Sequence, residues 1–104
     1  MTIPVNKIWS GIINVLGCDS SGNYCSRFCR QVTIGNRSGS TSLYGTVATI
    51  GTDLVASVGG GQASSEVVIT ASSTYDSLVI QVRGYSGYTF RWIASAEGVE
   101  MNFV

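Results

Sequence analysis

The chain has 104 residues, six basic and six acidic side chains, no histidine and a formal net charge of zero. That length sets one domain, spanning 1–104, large enough to bury its own core. Neutrality argues against nucleic-acid binding, which needs a basic stripe to displace counterions. The lack of histidine excludes Ser-His-Asp and Cys-His catalysis.

Charged residues make up only 12% of the chain, about half the usual ~25%. A lone soluble monomer normally keeps away from zero charge, so this composition points to a surface partly covered by other subunits. Thirteen glycines and a single proline, with many serines and threonines, fit short strands joined by tight turns. The Val, Ile and aromatic content is too high for disorder.

In chain order, Lys7 to Leu16 alternates as a first strand, with Trp9, Ile13 and Val15 on the better core face. The same stretch, a basic residue followed by apolar residues and Leu16-Gly17-Cys18, also resembles a lipoprotein export signal. Asn14 and the continuing alternation favour the strand. Gly17 to Asn23 reads as a loop. Tyr24 to Ile34 is a second strand, with Tyr24, Phe28, Val32 and Ile34 on one face, and it forms a long hairpin with the first. Cys18, Cys25 and Cys29 lie close together. Cys25 and Cys29 share a face but stand too far apart to bridge, whereas Cys18 can pair with either across the turn. For a chain made in the cytosol the expectation is reduced, structural thiols.

Gly35 to Ser40 is a turn. Ser42 to Ile50 reads as a third strand and Leu54 to Val58 as a short one. Gly59 to Gln62 reads as the most flexible point, and Ala56 and Ala63 fit no helical period. Glu66 to Ala71 is a strand with Val67 and Ile69 on one face. Leu78 to Arg83 and Phe90 to Ala96 alternate as two arms of a hairpin turning through Gly84 to Gly87, with Trp92 as the expected centre of the core. The result is an all-β chain, an antiparallel β-sandwich or barrel-like fold of about 6–8 strands. No run approaches the ~18 apolar residues of a membrane span.

Little of this is chemistry. Asp19, Asp53, Glu66, Asp76, Glu97 and Glu100 form no pair beside a predicted groove, as glycoside hydrolysis would require. Glu97 and Glu100 read as charges that discourage edge association. Gly59-Gly60-Gly61 lacks the lysine of a phosphate loop. Asp19 to Asn23 lacks the closing glutamate of a calcium loop. Three thiolates without histidine lack a fourth metal ligand of the usual kind, so neither metal nor cofactor is expected. Tyr75, Tyr85 and Tyr88 sit at turns, where aromatic rings stack on sugars or anchor interfaces. Arg83 is placed to hydrogen-bond a sugar or acidic glycan. These four are the candidate binding residues.

Leu78-Val79-Ile80-Gln81-Val82-Arg83-Gly84, then Phe90-Arg91-Trp92-Ile93-Ala94, then Val99-Glu100, resembles a small β domain of tailed-bacteriophage tail-fibre and other virion proteins. In those domains a strand ending Val-Thr-Gly precedes an aliphatic-x-Trp-x-Ala strand and a closing Val-Glu. Arg30 to Ile34, Gly35 to Gly39 and Leu43-Tyr44-Gly45 also look like the family's upstream hairpin. The likeness extends over Asn6 to Met101. Arg83 departs from the usual threonine, and Ser65-Glu66 from a Trp-Asp pair, so the surroundings of Trp92 must be filled differently.

The resemblance implies a non-enzymatic structural or receptor-binding module of a phage particle, assembled in the host cytoplasm and residing in the virion. It implies a homotrimer, with other virion proteins and a host-surface glycan or protein as partners. The alternatives are a free-standing, lectin-like carbohydrate-binding sandwich and, more weakly, a small polysaccharide-cleaving enzyme. Assembly also follows from the strands themselves. Ile8 to Leu16 and Leu78 to Val82 are apolar on both faces, and a single sandwich covers one.

Overall fold

The computed structural model describes residues 1–60 and 64–104, and every regular element among them is a strand. In chain order these are β1 (Lys7–Asp19), β2 (Tyr24–Arg37), β3 (Ser40–Leu43), β4 (Ala48–Thr49), β5 (Leu54–Ser57), β6 (Glu66–Ser72), β7 (Ser77–Arg83) and β8 (Phe90–Asn102). The fold is an antiparallel β-sandwich. One sheet runs β3-β2-β1-β8, with β4 and β5 also paired to β2, and the other is the β6-β7 pair. Gly61 and Gln62, part of the segment expected to be most flexible, and Ala63 lie outside the described residues.

β1 is the spine. It bonds β2 from Lys7↔Asn36 to Cys18↔Cys25, and β8 from Lys7↔Asn102 to Asp19↔Phe90. Strands of 13 and 14 residues make the molecule long: its principal extents are 52 × 25 × 18 Å and its radius of gyration is 15.5 Å. A compact chain of this length would give about 13 Å.

Trp9, Ile13 and Val15 face the core as the alternation predicts. They meet Phe28, Val32 and Ile34 of β2, with Ile69 and Leu78 from the second sheet and Ile3 from the N-terminal segment. That segment ties the layers together. Ile3 N–H donates to the Asp76 carbonyl and Leu78 N–H to the Met1 carbonyl, while Asn6 N–H donates to the Asn36 carbonyl. Buried Asn36 completes the join by donating to the Ile3 carbonyl at 2.9 Å. Thr41 does the same for β3, its hydroxyl donating to Asp76 at 2.8 Å.

Glycines in the long sheet act as seats for aromatic rings. Gly11 and Gly98 are cross-strand partners, and a Cβ on either would stand 2.7 Å from the Trp9 ring. A Cβ on Gly17 would collide with the Trp92 ring. Such contacts fill the space that a glycine leaves on a pleated surface.

Four expectations need correction. Leu78–Arg83 and Phe90–Ala96 are not a hairpin: β7 pairs with β6, and β8 pairs with β1. Alternation shows that each run needs a neighbour without naming it, and β1 offers β8 a far longer ladder than β7 could. Trp92 is not the centre of the core. It is half-buried beside Phe28, with ring centroids 6.4 Å apart, whereas Phe28 is 2% exposed. The third strand is broken into β3 and β4 around Gly45, whose φ of 71° is incompatible with a continuous strand.

The thiols are not all reduced. Cys18 and Cys25 form a disulfide, leaving Cys29 free. The first strand continues three residues beyond Leu16, which brings Cys18 directly opposite Cys25 at a Cα separation of 4.3 Å. That is the spacing of a pair without mutual backbone bonds.

Two outcomes follow for stability. Cys18→Ser or full reduction should cost about 2.5 kcal/mol, the loop-closure value for so short a loop. A melt with and without reductant measures it, and equal melting temperatures would show that the bridge contributes nothing. Phe28→Ala should cost about 3–5 kcal/mol and Trp92→Ala distinctly less. The reverse order in denaturant titrations would return Trp92 to the centre of the core.

Candidate binding site

The end of the molecule where β1 turns into β2 collects three tyrosines. Tyr24 opens β2, and the Gly84–Thr89 connection between the sheets carries Tyr85 and Tyr88 over it. The Tyr24 ring centroid lies 5.0 Å from that of Tyr85 and 4.5 Å from that of Tyr88. Tyr85 and Tyr88 stack 5.2 Å apart with planes 10° from parallel. These separations fall within the favourable range for aromatic pairs. The Tyr88 hydroxyl faces that of Tyr24 at 3.4 Å, a long contact. This contact, foremost among the causes, holds the Tyr24 phenol above its ordinary value of 10.0. Tyr24 is therefore neutral at physiological pH.

The turn beneath the rings is built on Asp19, which is buried. It accepts from the Ser21 hydroxyl at 2.5 Å and from the Tyr24 N–H at 2.9 Å. These bonds, the Ser21 one first, hold its carboxyl below the ordinary 3.8. Asp19 is thus a fully engaged structural acid rather than a free ligand or base. The Cys18–Cys25 bridge closes the same turn from the opposite face of the sheet. The Ser20 N–H donates to the Thr89 carbonyl at 3.0 Å, anchoring the tyrosine-bearing connection. Beside this turn lies a shallow depression of about 190 Å³, bordered by Asn23, Leu54 and Val58.

Of the four residues expected to bind, the structure brings two together. Tyr85 and Tyr88 share the cluster. Tyr75 is 76% exposed but sits in the β6–β7 turn, at the other end of β7 from Arg83. Arg83 lies on β7 opposite Glu66 and forms an exposed ion pair with it at 3.3 Å, so its guanidinium is already engaged. Tyr24 was missed because its alternation placed it on the core face. The face was right, but the second sheet does not reach that far, so the ring meets the connecting loop.

Among the described residues, no group of three or more His, Cys, Asp or Glu side chains is placed to hold a metal ion. Among the same residues no helix is long and apolar enough to cross a membrane. No family model matches the chain, and no curated protein or solved structure matches it either. The likeness to phage fibre domains therefore stands on residues alone.

The engaged carboxylates predict an acid limb. A depressed folded-state pKa adds stability above the unfolded value, and that stability is lost as the pH falls through the folded value. Asp19 behaves this way, as does Asp53, whose carboxyl the Arg30 guanidinium holds below 3.8 with bonds of 2.7 and 2.9 Å. Melting temperature should therefore fall below about pH 4, and Asp19→Asn should flatten that fall. An unchanged acid profile in the variant would mean that Asp19 carries no share of it.

Proposed function

We propose that the protein is a non-enzymatic, homo-oligomeric attachment module of the phage-fibre kind, residing in the virion, and that its tyrosine end contacts a host-surface glycan. The observation that carries this reading is the gathering of Tyr24, Tyr85 and Tyr88 at one tip of an elongated sandwich. Aromatic faces at a loop-bearing end supply broad, rigid contact area at low entropic cost.

Three further features support it. Low charge and zero net charge suit a surface shared with other copies. Exposed Leu16, Ile93 and Val99 on the long sheet leave apolar area for such contacts. A disulfide within the tip suits a protein that works on the outside of a particle, where thiols stay oxidised. Strand addition suits the trimer implied by the resemblance poorly, because the edge opposite β8 is broken into the short β3, β4 and β5.

Tyr85→Ala/Tyr88→Ala should weaken attachment to host cells by about 30-fold, the equivalent of some 2 kcal/mol from a clustered aromatic anchor. Assembly, read as mass in native buffer, should not change. Unaltered attachment by a correctly assembled double variant would move the binding site elsewhere. Peptides of this chain in purified particles would favour the virion module over a free-standing lectin-like protein, and their absence would favour the latter.

A further inference from the structure

β8 closes the long sheet, and no strand among the described residues bonds its outer margin. Which backbone groups face outward follows from the bonds at its two ends. The Ser20 N–H donates to the Thr89 carbonyl, and the Phe103 N–H donates to the Asn6 carbonyl. Odd-numbered residues therefore turn their N–H and C=O toward β1. Those of Phe90, Trp92, Ala94, Ala96, Gly98 and Glu100 point into solvent.

Natural sheets blunt such margins with charged side chains, proline, bulges or brevity. The charges on β8 are Arg91, Glu97 and Glu100, and Glu100 is paired with Lys7 of β1. β8 has 13 residues and contains neither proline nor lysine, and its ladder with β1 runs without a bulge from Asn102 to Phe90. Its side chains are uncovered as well: Ile93 is 69% exposed and Val99 75%.

We propose that β8 pairs antiparallel with β8 of a second copy of this chain, about a twofold axis through Ala94, so that one sheet continues across two subunits. Two observations select this occupant. The opposite edge of the sheet is made of β3, β4 and β5, three separate segments of 4, 2 and 4 residues along β2. Head-to-tail addition would set the 13-residue β8 against that interrupted edge, whereas an isologous pair uses the same continuous edge twice.

The second observation is charge. Arg91 and Glu97 are exposed on the same face of β8. Among the described residues the ion pairs are Lys7–Glu100, Arg30–Asp53 and Arg83–Glu66, so neither Arg91 nor Glu97 has an opposite charge. Antiparallel pairing centred on Ala94 sets Arg91 of each strand directly opposite Glu97 of the other, satisfying both twice over. The same register places Trp92 opposite Ala96 and Phe90 opposite Gly98, a large ring against a small residue each time. Phe90, Trp92, Ala94, Ala96 and Gly98 then exchange roughly ten backbone hydrogen bonds between the chains.

The inference is independent of the attachment reading, and a charge exchange tests it. The wild-type chain should sediment as a dimer. Arg91→Glu and Glu97→Arg should each raise the dimer dissociation constant at least tenfold, because each sets like charges face to face. The double exchange should restore it to near the wild-type value. Ala94→Pro, which removes an outward N–H at the axis but no bond to β1, should give a folded monomer by circular dichroism and sedimentation. A wild-type monomer or trimer, or a dimer indifferent to both single exchanges, would overturn the proposal.

Discussion

The double-sided pairing of β1 is the constraint on which the rest of this structure depends. A strand bonded along its whole length to β2 on one side and β8 on the other fixes the register of three strands at once. It sets Trp9 opposite Ile34 and Val15 opposite Phe28, with Ile13 and Val32 on the same face beneath the second sheet. It also places Cys18 opposite Cys25, Gly11 beside Gly98, and Gly17 under Trp92. A slip of one residue would turn every side chain to the other face and would lose the core, the bridge and the ring seats together.

The length of that pairing also separates the two ends of the molecule. At one end the N-terminal segment, Asn36, Thr41 and the β6–β7 turn interlock through buried hydrogen bonds. At the other end the second sheet stops short, and the space is filled by Tyr24, Tyr85 and Tyr88 over the Asp19 turn. The tyrosine end is therefore held by a disulfide, a carboxylate-centred turn and stacked rings, not by core burial. A tip held that way can present rings to a ligand without unfolding the sandwich.

Much of the fold was legible in the residues. Alternation located β1, β2, β6, β7 and β8 and identified the inward faces of β1 and β2, because period-2 burial leaves a direct trace in composition. Which strand pairs with which was not legible. β7 and β8 are consecutive and joined by glycines, so they read as a hairpin, yet the partner of β8 is 71 or more positions upstream by register. The core's centre was misplaced for the same reason: Trp92 is the largest group on β8, but β8 is an edge, and an edge strand buries little. The tip was half legible. Tyrosines at turns marked Tyr85 and Tyr88, but bringing Tyr24 to them required the route of the connection between sheets. Tyr75 carried the same local signal and lies at the other end.

The position of Ala94 within β8 connects assembly with the tip. Ala94 is four residues from Phe90, where β8 meets the tyrosine end, and eight from Asn102. The proposed twofold axis there would overlap two molecules through their tyrosine-bearing halves and leave the interlocked halves projecting outward. At about 3.3 Å per residue, the two tyrosine clusters then fall on the order of 30 Å apart on one continuous sheet. If each tyrosine end binds glycan as proposed, two weak contacts at that fixed spacing would act as one bivalent contact, with the second event made intramolecular by a rigid sheet in place of a linker. Attachment by the proposed dimer would gain strength from that spacing, without needing a deeper pocket.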